Sequence, residues 1–178
     1  FDENPWKAWQ ILQKVLERRG NPPYIIDGDL FLAGTPIESL GNLTSVGENL
    51  ILSDTPIKSL GNLQIVGENL DLRYTPIESL ENLTSVGGYL DLRETQIKSL
   101  GNLQSVGGNL FLERTLIKSL GNLQSVGGDL SLYDIPIRSL GNLQSVGGNL
   151  SLRRTLLSKM YTEEQIREMV NVDGIIFM

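Results

Sequence analysis

Apolar and polar positions fall into a block that returns every 20 residues, starting at 30, 50, 70, 90, 110 and 130, with a truncated copy at 150. Each block carries six apolar positions, which in the second copy are Leu50, Leu52, Ile57, Leu60, Leu63 and Val66. Leu-x-Leu is the period of a strand with both leucines on its inner face. The later steps of three describe a tighter, non-strand return path. One coil alone cannot bury six aliphatic side chains, whereas a stack of coils can. At about 1.5–3 kcal/mol per buried side chain, stacking supplies the main force against chain entropy. The pattern predicts a mainly β fold, a right-handed parallel β-solenoid of 20-residue coils. Whether its cross-section is an open arc or a closed β-helix stays open at this level.

The flanks read as lids on this stack. Asn4 suits a helix N-cap and Pro5 the first helical position, and Trp6, Trp9, Leu12, Val15 and Leu16 form one stripe over residues 4–19. Gly20 and Pro22-Pro23 end that element, predicting an N-terminal capping helix that shields the first coil. The repeat begins partway through its unit, since Ile26-Asp27-Gly28-Asp29-Leu30 matches Val46-Gly47-Glu48-Asn49-Leu50. After Thr155 the register breaks. Thr162 and Gln165 have capping-box spacing, and Ile166, Met169 and Val170 give a short C-terminal helix its apolar face. Val172 to Met178 then repeats the pattern of residues 26–32, predicting a final strand with Ile176 and Met178 inward. The expectation is one domain over 1–178: a helical cap at 1–23, repeats at 24–157 and a C-terminal cap at 158–178. Eight strands at ~4.8 Å make a stack of roughly 35 Å.

Most recurring polar positions call for structural explanations. Gly47, Gly67, Gly87, Gly107, Gly127 and Gly147 form a column whose substitute in the first coil is Asp27, as a positive-φ turn would tolerate. At Gly41 the equivalent residue is Glu81, which argues against a positive-φ requirement there. Asn42, Asn62, Asn82, Asn102, Asn122 and Asn142 are expected to bond backbone groups left unpaired in a bend. Ser39, Ser59, Ser79, Ser99, Ser119 and Ser139 are equal copies, which suits structure better than a nucleophile. A threonine column, Thr35, Thr55, Thr75, Thr95, Thr115 and Thr155, is interrupted by Ile135. Ile135 points to a buried site and against an ice-binding face. Asn42-Leu-Thr44, Asn82-Leu-Thr84 and Asn149-Leu-Ser151 match a glycosylation acceptor, and the first two lie in the structural asparagine column.

Composition narrows the function classes. Of 178 residues 40% are apolar and 20% charged, which fits a folded soluble protein, and no apolar run approaches a membrane span. A net charge of -6 disfavours a nucleic-acid partner. The chain has no cysteine and no histidine, so thiolate chemistry, the commonest general base and the commonest metal ligand are all missing. The reading is therefore not an enzyme, with no cofactor, no metal site and no small-molecule substrate. The chain begins at Phe1, which admits a processed N-terminus.

The run Leu-x-Leu-x-x-Thr-x-Ile-x-x-Leu resembles the leucine-rich-repeat core, with threonine at the asparagine-ladder position. The Val-Gly-Gly-Asn-Leu entry into the strand is similar to the receptor L-domain repeat. The resemblance covers residues 26–157. The tandem Thr-Pro-Ile-Lys-Ser-Leu units also look like short repeat proteins of unassigned function in bacteria and their phages, which implies an intracellular or virion-associated setting.

If packing fixes the inner face, information lies where the copies differ. In an ordinary leucine-rich repeat the equivalent positions point outward from the strand sheet. They include Asp71, Asp91 and Phe111 between the strand leucines, Arg73, Arg93, Glu113, Tyr133 and Arg153 two residues on, and Tyr74, Glu94 and Arg114 beside these. Alternation places Asp71 with Arg73 and Asp91 with Arg93 on one face, a charge lattice flanked by Phe111 and Tyr133. Arginine and tyrosine are enriched at interfaces. The expected function is non-catalytic protein–protein recognition through this face. The alternative is a structural subunit or decoration of a larger assembly, such as a phage virion. A merely solvated face, with Asp–Arg pairs worth ~0.2–1 kcal/mol each, is the third reading.

Overall fold

The structure is a computed structural model that describes residues 4–178; the cap expected over 1–23 is seen from residue 4 onward. Helix α1, Pro5–Arg18, starts where the sequence places it, with the Asn4 side chain accepting a 3.1 Å hydrogen bond from the Lys7 backbone. Behind it the chain winds into two parallel sheets of eight strands each, every strand pairing with its equivalent one coil away. The second sheet holds the expected Leu-x-Leu strands, such as Leu90–Asp91. The first, with strands such as Ser85–Val86, corrects the expectation of a wholly non-strand return, because stacked coils bring these two residues into register for pairing. The strands are mostly two residues long because a bend follows almost at once. The return path runs outside both sheets, touched by isolated bridges between Ser79 and Ser99 and between Ser119 and Ser139.

Side chains from both sheets and from the return path converge on one core. In the second coil Leu50, Leu52, Ile57, Leu60, Leu63 and Val66 are all wholly buried. The equivalents in the other regular coils are buried too, save Leu30 at the N-terminal end, which is half-buried. This closed packing forms no helix on the return path of the regular coils. The fold is thus a parallel β-solenoid of about 20 residues per coil.

The last coil is longer, with Ser145 pairing to Asn171 and Leu150 to Ile176. Two short helices, α2 at Leu157–Met160 and α3 at Glu163–Met169, occupy its return path. The capping box of Thr162 and Gln165 is formed. Ile166 and Val170 seal the core, but Met169 and Met178, expected inward, are 49% and 38% exposed. A seven-residue helix lying against the stack buries less than the full stripe its spacing suggests. At the other end Trp9 is buried, Trp6 and Leu12 pack against the core and Gln13 bonds the Tyr24 hydroxyl, while Val15, expected on the buried stripe, remains exposed.

Two glycine columns behave opposite to expectation. Gly47 through Gly147 have no positive φ; an added Cβ at Gly127 would lie 2.9 Å from the Gly107 carbonyl carbon and closer still to its oxygen. These glycines exist because successive coils touch backbone to backbone. Asp27 escapes the rule because no coil precedes it. Gly41, Gly61, Gly101, Gly121 and Gly141, by contrast, have φ of 57–60° and do occupy the left-handed region. Glu81 adopts the same conformation at φ 52° and binds the Ser59 hydroxyl and the Gly61 backbone N–H through its carboxylate.

The serine column prepares that turn, each Oγ accepting from the backbone N–H two residues on, as Ser99 does from Gly101 at 3.0 Å. Asn82 and Asn122 donate to the carbonyls of Gly61 and Gly101 in the preceding coil, as expected of their column, whereas Asn62 bonds the Asn42 side chain. Thr55, Thr75, Thr95, Thr115 and Thr155 are buried, and each hydroxyl donates to the carbonyl three residues earlier at 2.6–2.7 Å. A buried column cannot face ice.

A further ladder escaped the sequence reading. Asp29, Asn49, Asn69, Asn109, Asp129 and Asn149 stand just before the strand leucine of successive coils. Their side-chain oxygens accept from the backbone N–H of the equivalent residue one coil on, as Asn69 does from Tyr89 and Asn109 from Asp129. Only Asn, Asp and one Tyr fill this column before the final coil, which was the available signal.

Candidate recognition face

The variable positions sit where strand alternation puts them. Leu90 and Leu92 point into the core, so Asp91 between them points out. Asp71 and Asp91 are nonetheless buried, contrary to the expectation of an open charge lattice, because arginine side chains lie over them. Asp71 accepts from the Arg73 backbone N–H and Nε at 3.0 Å each and from Nη2 at 2.7 Å. One coil on, Asp91 holds Arg93 in the same way, with Nε at 2.9 Å. Arg73 Nε also lies 3.5 Å from Asp91 Oδ2, so one guanidinium spans both carboxylates.

The pairing holds the arginines firmly protonated. The Asp71 hydrogen bonds raise the Arg73 pKa, with burial opposing, and Arg93 is raised likewise by Asp91 with the Glu113 charge adding to it. Arg114 is raised by its hydrogen bond to Glu94 across adjacent coils. Tyr89, beside the two aspartates, is pushed up chiefly by burial and then by the Asp71 charge.

Aromatic rings complete the face. Arg93 stacks over Phe111 at 5.1 Å, Arg153 over Phe177 at 4.8 Å and Arg154 over Tyr133 at 5.3 Å. Phe177 and Arg154 were not among the expected site residues; Phe177 continues the column of Asp71, Asp91 and Phe111 through its pairing with Ser151. Arg73, Tyr74, Arg93, Glu94, Glu113, Arg114 and Tyr133 surround a shallow concavity of about 340 Å³. Of the expected set, Arg153 lies outside that lining, and Asp71, Asp91 and Phe111 support it from beside or beneath.

The corner that follows the strand is conformationally costly. Asp54, Tyr74, Glu94, Arg114, Asp134 and Arg154 all have φ of 58–61°. The same slot in the first coil is Gly34, at φ 66°. Left-handed backbone costs an L-residue roughly 1–2 kcal/mol, least for aspartate and more for bulky side chains. At the other left-handed turn the chain uses glycine in every copy except Glu81.

A second concavity, about 480 Å³, runs along the first sheet past Ser85, Ser105, Ser125 and Ser145 and the adjoining glycines. Its small walls follow from coil-to-coil contact at the glycine column. Among the described residues no group of three or more acidic, histidine or cysteine side chains could hold a metal ion. No helix among them is long and apolar enough to cross a membrane. Comparison with family models, with curated proteins and with solved structures returns no match for this chain.

Proposed function

We propose that this chain is a non-catalytic recognition module of leucine-rich-repeat type that binds a protein partner along its variable strand face and the left-handed corner beside it. The observation that carries this reading is the contrast between two turns of the same backbone conformation. Where φ near +60° serves only to turn the chain, glycine is used in every copy but Glu81; at the outer corner glycine stands only in the first coil, and Tyr74, Glu94, Arg114 and Arg154 accept the strain. Such outliers concentrate where a side chain is needed for something other than stability. The residues presented, arginine and tyrosine in particular, are those enriched at binding hot spots.

The rigid solenoid supports this use. Arg73 and Arg93 are fixed by buried carboxylates and Phe111, so less side-chain entropy is lost on docking than from free surface arginines.

The test is isolation of the protein from its source under gentle conditions, native mass spectrometry, and a hydrogen-exchange footprint of any complex. The expected result is a second polypeptide whose presence slows exchange at residues 71–74, 91–94, 111–114 and 133. Protection confined to the ends, the return path or the serine-lined concavity would overturn the reading in favour of a structural role in a larger assembly.

A further inference from the structure

Counting charges around the 340 Å³ concavity leaves one side chain unaccounted for. Arg73 pairs with Asp71, Arg93 with Asp91 and Arg114 with Glu94. Glu113 has no salt bridge among the described residues. Its Oε1 accepts the Ser131 hydroxyl at 2.5 Å, and its Oε2 is the one buried side-chain oxygen or nitrogen among the described residues with no hydrogen-bond partner. Native proteins rarely leave such an atom unpaired, because a buried acceptor without a donor forfeits its hydration for nothing.

Tyr74 points the same way. Phe111, Tyr133 and Phe177 each carry an arginine over the ring, but Tyr74, on the same concavity and 58% exposed, has none among the described residues. The Arg93 charge acts on Glu113 without bonding it, so the carboxylate oxygen and the uncovered π face both still lack a cationic donor in contact. We infer that the concavity receives a basic side chain, arginine or lysine, from the protein partner, its charged head donating to Glu113 and its stem lying on Tyr74. The Oε2 atom is closed to bulk solvent, so entry takes rotation of the long side chains lining the concavity, Arg114 among them, whose exposed pair with Glu94 must open. This inference rests on the recognition reading above and adds the polarity of the partner.

The probe is a pair of blocked tripeptides, Gly-Arg-Gly and Gly-Glu-Gly, titrated into the full isotope-labelled chain and followed by amide chemical shifts. The arginine peptide is expected to give saturable shifts at residues 111–114 and 131–134. Glu113→Gln, which keeps an acceptor for Ser131, should weaken the binding about tenfold or more. Tyr74→Ala, at an exposed position, should weaken it about two- to fivefold and serves if the first variant misfolds. Equal binding by wild type and both variants, or no response to the arginine peptide at tens of millimolar, overturns the proposal. A response to the glutamate peptide alone also overturns it, making the arginines the ligands, while the recognition face itself stands. That face falls separately, only if the footprint of the native partner avoids it.

Discussion

Two glycines six residues apart in one coil provide a sharp test of the packing argument. Gly121 has φ 57° and nothing within 4 Å of an added Cβ, whereas Gly127 has ordinary φ and a Cβ built there collides with the Gly107 carbonyl. Alanine at 121 meets only left-handed strain, about 1–2 kcal/mol. Alanine at 127 needs the neighbouring backbone to retreat by about 1 Å before contact becomes ordinary. That movement strains two coil-to-coil hydrogen bonds, Gly127 N–H to the Val106 carbonyl at 2.8 Å and Gly128 N–H to the Gly108 carbonyl at 2.9 Å. Losing both, with their groups left poorly paired, costs about 3–5 kcal/mol. Urea unfolding of the two variants, with m-values checked for loss of cooperativity in a stacked array, measures the difference. An equal cost, or a larger one for Gly121→Ala, would refute the assignment of the two columns.

Further outcomes follow from individual contacts. Arg73→Ala and Asp71→Ala should each destabilise the chain by about 0.5–1.5 kcal/mol, because either change breaks the Asp71–Arg73 bonds while the group left behind gains access to water; thermal or urea unfolding measures both. Thr95→Val should cost about 1–2 kcal/mol by removing the 2.7 Å bond to the Leu92 carbonyl, visible as faster amide exchange in the adjoining coils. Tyr24 is pushed up to about 12, mainly by burial, with its hydroxyl donating to the Leu40 carbonyl. Its folded pKa exceeds the unfolded value near 10, so the stability it supports is complete below pH 10 and is lost as pH rises from 10 to 12. Tryptophan fluorescence of α1 against pH reads this loss, and Tyr24→Phe should remove that component.

Much of the fold was legible because burial has a strict period here. The six aliphatic positions per coil, the eight Leu-x-Leu strands of one sheet, the Asn4 cap and the Thr162 capping box follow from spacing and local chemistry. The other sheet was hidden because its two-residue strands lie among the three-residue steps that read as a non-strand path. What was hidden depends on contacts between coils. A glycine wanted for close approach and a glycine wanted for φ look identical in a column, and here the structure exchanges the two explanations. The single glutamate at 81 misled because its side chain finds local partners that compensate its backbone. At the candidate face, alternation located Arg73, Arg93 and Glu113 but could not reveal that Asp71 and Asp91 lie beneath their own arginines. Nor did it mark Tyr74, Glu94 and Arg114 as left-handed: Gly34, Asp54 and Asp134 in the same column were the available signal, outnumbered by residues that rarely adopt that conformation.

The most direct test of the central claim replaces Tyr74, Glu94, Arg114 and Arg154 together with glycine and measures unfolding and affinity for the natural partner on the same preparation. Glycine relieves left-handed strain but loosens the unfolded chain, and the two effects, each of order 1 kcal/mol per site, largely offset. If these side chains are kept for recognition, stability holds within about 1 kcal/mol or rises while binding falls at least about a hundredfold. Unchanged affinity would contradict the account, as would a loss of several kcal/mol of stability, which would make the corner side chains structural.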